Sequence, residues 1–221
     1  MEQLLRTGRI FTHAAVQRVP KLFLVIVLKS VEDPPLVQHL NDRIFISHYH
    51  TQEDGYSNVE EVPNPERIEN SPESSIIYRA ESSASKLGHS ALFSTQDINV
   101  LADMSEQVTT TAEVQSYLHN LVVFLRLHRA VVAVEISPIA TKYFKQLSRI
   151  LTVIHGQSFV TPAIIALAFR KIYHHRIRIV TPDFERSIQY GSHLNAVASY
   201  LEGVTVDTVI EDVLNELEVP V

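Results

Sequence analysis

The sequence predicts a mainly α protein: a helical bundle preceded by an incomplete α/β remnant, with strands near 22–28 and 44–47. Three observations carry this. Apolar residues recur at helical spacing through the second half, as in Val114, Tyr117, Leu118, Leu121, Val122 and Leu125. Ser137-Pro138 and Thr161-Pro162 open two such patterns as N-cap then N1. There the hydroxyl satisfies an orphan amide, and proline has no amide to orphan. The runs that read as strands are short and both precede residue 50, so the sheet that would bury them is missing from this chain.

In chain order, residues 2–9 read as a short helix. Leu22-Phe23-Leu24-Val25-Ile26-Val27-Leu28 is continuously apolar and β-rich, as in a strand covered on both faces. Asp33-Pro34-Pro35 ends it. Leu36–Leu40 reads as a helical turn and Ile44-Phe45-Ile46-Ser47 as a second strand. Residues 51–94 are polar, serine-rich and interrupted by prolines such as Pro63, Pro65 and Pro72, and are expected to be disordered. Serines beside prolines there invite phosphorylation, although serine enrichment belongs to the disorder signature itself.

Thr95 is expected to cap a helix over 96–104. Further faces are Phe144, Leu147, Leu151 and Ile154; Ile165, Ala168, Phe169 and Ile172; Leu194, Val197, Ala198 and Leu201, closed by Gly203 as a C′ residue; and Val206, Val209, Ile210, Val213, Leu214 and Leu217.

With 221 residues the chain can bury a sizeable core, and 45% hydrophobic against 20% charged residues is ordinary for a globular protein. A net charge of −6 argues against a general nucleic-acid binder. With no cysteine, disulfides, thiolate metal sites and cysteine catalysis are excluded. The longest apolar run falls far short of the roughly 20 residues of a spanning helix, so no membrane partner is expected. Arg6, Arg9, Arg18 and Lys21 against Glu2 have the balance of a transit peptide, but the apolar run behind them favours an internal helix feeding a strand. The chain is expected inside the cell, in cytoplasm or nucleus, with mitochondrial import left open.

Ser137-Pro138-Ile139-Ala140, Gly156-Gln157-Ser158-Phe159-Val160-Thr161-Pro162 and His175-Arg176-Ile177 follow one another in an order that resembles the helical lid of MoxR and magnesium-chelatase-type AAA+ ATPases. The N-terminal part is similar to the end of that family's α/β core, on Leu22–Leu28 and Leu40-Asn41-Asp42-Arg43-Ile44-Phe45. The resemblance divides the chain into a core remnant (1–50), a disordered polar insert (51–94), a lid (95–180) and a C-terminal helical extension (181–221). It also implies roles. Arg43 stands where the family has an arginine that reaches across a subunit interface to a transferred phosphoryl group, and Ser30 falls loosely at its first polar sensor. The lid arginine that touches the nucleotide is Ile139 here, and isoleucine neither donates a hydrogen bond nor carries charge. The plain alternative for Arg43 is an ordinary surface ion pair.

No Gly-x-x-x-x-Gly-Lys-Ser/Thr occurs, and none of the six glycines is followed by lysine. No apolar strand ends in Asp-Glu or Asp-Asp. In the family both motifs lie upstream, so the chain looks like a C-terminal part. It is expected to bind no cofactor alone, ATP and Mg²⁺ being implied only through a complete relative or a partner. That partner would be an AAA+ homologue or another protein covering Leu22–Leu28. The activity implied by resemblance is ATP-driven remodelling or, in chelatases, metal insertion into a porphyrin; nothing in these residues identifies a porphyrin. The alternative is a helical interaction module with no nucleotide role, using the faces at 194–217. No metal site is expected: His48-Tyr49-His50 and His174-His175 lack a converging third ligand, and His175 already matches the lid motif. Asp97, Asp103 and Glu106 read as helix-start and surface charges, not an acid–base pair. Arg170, Lys171, His174, His175, Arg176 and Arg178 form a basic cluster near a helix C-terminus. Cations there complement the macrodipole or, on the other reading, bind phosphate.

Overall fold

The computed structural model describes residues 9–11, 16–18, 24–29, 36–49, 93–186 and 193–220. The chain divides into two units, Met1–Ser47 with Ser105–Val221, and His48–Met104. The expected insert 51–94 lies almost wholly outside the described residues, as do Ser30 and most of the expected helix 2–9. Arg9 itself opens a strand: β1 (Arg9–Phe11) pairs antiparallel with β2 (Val16–Arg18) in the register Arg9↔Arg18, Ile10↔Gln17, Phe11↔Val16.

Neither sequence-predicted strand is found among the described residues, which include 24–28 of the first and all of the second. Residues 24–29 pair with no strand among the described residues. Leu24, Ile26 and Leu28 are 82, 71 and 88% exposed, which is how a run suited to two-sided cover looks without neighbours. Residues 44–47 also form no ladder, because their backbone groups bond to a helix end instead: Ser47 N–H donates to Lys171 O at 3.0 Å. The expected turn at 36–40 is α1 (Gln38–Asn41).

The core is built from helices. α2 (Thr95–Gln107) opens at Ser94, one residue before the expected cap. The Ser94 hydroxyl accepts from Asp97 N–H at 3.1 Å and the Asp97 carboxylate accepts from Ser94 N–H at 2.7 Å, a reciprocal box that Thr95 does not make. α3 (Ala112–Leu127) starts at Thr111, whose side chain accepts from Val114 N–H, and buries all six residues of its expected stripe. α4 (Pro138–Ile154) is capped by Ser137 as expected. Its buried face is rotated at the far end: Ile154 is 64% exposed, whereas Thr152 and Val153 are buried. Ser148 and Thr152 tolerate burial because each hydroxyl donates to the carbonyl four residues back, Phe144 O at 2.9 Å and Ser148 O at 2.8 Å.

α4 ends on Gly156 at φ 68°. Gln157 N–H reaches Thr152 O and Gly156 N–H reaches Val153 O, the paired bonds of a Schellman turn that favours glycine in this left-handed conformation. α5 (Pro162–Tyr173) begins after Thr161, which occupies the N-cap, but its hydroxyl makes no cap bond. All four expected core residues of α5 are buried. α4 packs on α5 through Phe144, Phe169 and Tyr173, with ring centroids 4.9–5.6 Å apart.

α6 (Leu194–Leu201) buries no residue fully, and Gly203 follows it at φ 78°, as expected of a C′ glycine. α7 (Val206–Glu216) opens with a Thr205–Thr208 box and lays Val209, Ile210 and Val213, all at most 1% exposed, on the core beside α3. Bridges Thr109↔Phe159 and Val131↔Ile179 tie the connecting loops together. Among the described residues no helix is long and apolar enough to cross a membrane.

Phe144 is fully buried and touches two other rings. Phe144→Ala should lower the unfolding free energy by about 3–5 kcal/mol. Phe184→Ala, at a ring 81% exposed, should change it by less than about 0.5 kcal/mol. Urea unfolding followed by circular dichroism measures both.

Candidate functional site

Leu40–Phe45, the stretch that holds Arg43, sits at the end of α1 and is fastened to α4 and α5 from several directions. The α1 turn carries the chain into Asp42, and Arg43 N–H closes back on Leu40 O at 2.9 Å. The Ser137 hydroxyl donates to Asp42 Oδ1 at 2.9 Å while accepting from Ala140 N–H. A cap serine at a helix start is thereby also an anchor for the residue before Arg43. Phe45 meets Tyr143 edge-on at 5.1 Å.

The other fastening is Arg176, buried to 1% exposure. Its guanidinium donates to Ile172 O at the end of α5 and to Ile44 O, with a longer contact of 3.5 Å to Asp42 O. The cation also lies 5.8 Å from the Tyr143 ring. Burial pulls its pKa down, while Tyr173, Asp42 and Tyr143 oppose that. An arginine stays charged in proteins, so the carbonyls, the helix end and the Asp42 carboxylate replace part of the water it has lost, while its buried Nε has no hydrogen-bond partner.

Two neighbours add to the grip. Asn41 Nδ2 donates to His175 O at 2.8 Å. His175 Nε2 lies 3.3 Å from Ile44 O, and since a carbonyl only accepts, that nitrogen carries the proton. Burial pushes the His175 imidazole down to about 3, and the Arg176 cation pushes the same way, so the ring is neutral in the folded chain.

Asp42-Arg43 and Ser137, two residues before Ile139, are therefore brought together, and Arg43 and Ile139 are both partly buried. Ser30 lies outside the described residues. His48 and Tyr49 are exposed, and no group of three or more His, Asp or Glu suited to a metal occurs among the described residues. The basic cluster resolves into separate roles. Arg170 pairs with Glu211 at 3.6 Å, His174 with Asp207 at 3.3 Å and Arg178 with Glu135 at 2.9 Å, while His175 and Arg176 face inward. Sequence reasoning missed this inward pair, because two basic residue types among four others at a helix end read as a solvated run. Ile177, apolar between Arg176 and Arg178 and itself buried, is the one local sign that the run is not wholly exposed.

Two outcomes follow. Ser137→Ala removes both a cap and the Asp42 anchor, and should destabilise by about 1–2 kcal/mol in urea unfolding. Between pH 6.5 and about 3 the unfolded chain binds a proton at His175 that the folded chain does not, so stability falls as pH drops through that window. The slope is at most about 1.4 kcal/mol per pH unit. His175→Gln should flatten that slope relative to wild type between pH 7 and 5; an unchanged slope would remove His175 as its source.

No protein-family model matches the chain. No curated protein matches it either. Among solved structures, a crystal structure from Cytophaga hutchinsonii, of a protein provisionally named an ATPase, resembles it with a TM-score of 0.66 at 14% sequence identity. The match covers 100% of this chain, and the chain spans 61% of that protein's length. Likeness at such identity is a likeness of fold. The chain is mainly helical and shares its fold with part of that protein.

Proposed function

We propose that this chain is the lid-bearing portion of a MoxR or magnesium-chelatase-like ATP-driven machine and that Arg43 acts in trans, on nucleotide held elsewhere. The observation that carries the reading is the Ser137–Asp42 bond, which ties the residue beside Arg43 to the start of the lid helix. An arginine whose backbone is held next to that anchor can present its guanidinium to charge developing on a transferred phosphoryl group. The residues of this chain do not themselves fit a complete ATP–Mg²⁺ site. The sequence contains no P-loop, Ile139 offers no donor, and no metal-ligating group of three occurs among the described residues. The nucleotide therefore belongs to another subunit or segment. Exposed Leu24, Ile26 and Leu28 support a partner that covers them.

A second reading is a helical interaction module without a nucleotide role. The faces at 194–217 expected to serve it are taken up in part by the chain's own core, where Val209, Ile210 and Val213 are buried. It is favoured instead by Ile139 and by α2, which buries no residue and leaves Ile98, Leu101 and Met104 about 40–50% exposed at i, i+3 and i+6.

The deciding experiment isolates the native complex through a tag on this chain and measures ATP turnover. Arg43→Ala should lower kcat by at least about tenfold, with about 10³-fold as the scale of a full arginine finger, at unchanged KM. A complex without ATPase activity, or one indifferent to Arg43→Ala, would overturn the trans role and favour the interaction module.

A further inference from the structure

Arg43 sits between two residues whose carbonyls face one guanidinium. Arg176 donates to Ile44 O on one side and lies 3.5 Å from Asp42 O on the other, while a further nitrogen holds Ile172 O. Asn41 reaches His175 O and His175 reaches Ile44 O, so the residues on both sides of Arg43 are tied to the end of α5. The Asp42 side chain is tied to the start of α4 through Ser137. α4 and α5 in turn share the ring cluster of Phe144, Phe169 and Tyr173.

We infer that Arg176 is a positioning residue for Arg43: it fixes the backbone on both sides of that arginine to the helical bundle, so that Arg43 moves with α4 and α5 as one body. A planar fork is suited to this, since it can serve a helix-end carbonyl and a loop carbonyl at once; a lysine presents a single point of donors and cannot span the same acceptors. The cost of burying a cation is offset best while the turn at 42–44 stays docked, because that turn supplies two of its three carbonyl acceptors. Displacement of the lid therefore displaces Arg43 and does not leave it behind.

This inference rests on the trans role of Arg43, and its test separates the two. In the complex isolated through a tag on this chain, ATP turnover is compared for Arg43→Ala, Arg176→Met, Arg176→Lys and the double variant Arg43→Ala/Arg176→Met. Arg176→Met should lower kcat at least fivefold with KM for ATP unchanged, Arg176→Lys should restore part of the loss, and the double variant should be no slower than Arg43→Ala alone. Amide exchange over 42–47 should quicken in Arg176→Met while amides of α3 stay protected. If Arg43→Ala slows turnover and Arg176→Met does not, or if the losses multiply in the double variant, the positioning role fails and the trans role stands. If Arg43→Ala has no effect, both fail. Should Arg176→Met not accumulate as folded protein, Asn41→Ala removes the bond to His175 O and keeps Arg176; it should lower kcat in the same direction, and an unchanged kcat overturns the inference.

Discussion

The burial of one charged group, the Arg176 guanidinium, constrains much of what surrounds it. An arginine withdrawn from water has to find acceptors for its donors, and here they are main-chain oxygens from two parts of the chain more than 120 residues apart in sequence. The turn after α1 is thus shaped by what the end of α5 requires. Asp42 takes part twice, since its carboxylate accepts from the Ser137 hydroxyl and lends negative charge to the region around Arg176. Tyr143 covers the guanidinium at 5.8 Å and also meets Phe45, so the polar anchor and the apolar packing share a residue.

The helical part was legible because its signals are local. Ser137 starts a helix through a bond within a few residues of itself, Gly203 follows one in the left-handed conformation, and the stripe from Val114 to Leu125 buries as its spacing requires. The errors have equally local causes. Ile154 reads as core by period, but Thr152 takes the inward position because its hydroxyl is satisfied within the helix. Ser94 rather than Thr95 caps α2, a difference decided by which hydroxyl faces the Asp97 amide.

The candidate site was only half legible. Arg43 could be singled out by its motif, but its clamp could not, since Arg176 lies 133 positions away and nothing in His174-His175-Arg176-Ile177-Arg178 marks which cation turns inward. The residues 44–47 misled for a related reason. Their composition is that of a strand, but a strand is defined by where its amides bond, and theirs find a helix end.

The ion pairs between α5 and α7 have a consequence apart from stability. Both are at least partly exposed and individually weak, and the His174–Asp207 contact is an ion pair only where the imidazole carries a proton. Yet Arg170 and His174 are four residues apart on one helix, and Asp207 and Glu211 are four apart on the other, paired in reverse order. Sliding α7 by one turn in one direction would set Asp207 against Arg170 and bring Glu211 level with Ala166, leaving His174 without its acid. The apolar side of α7, Val209, Ile210 and Val213, is meanwhile packed into the core beside α3. The alignment of α7 is thus marked twice, by its apolar face against α3 and by its polar face against the end of α5.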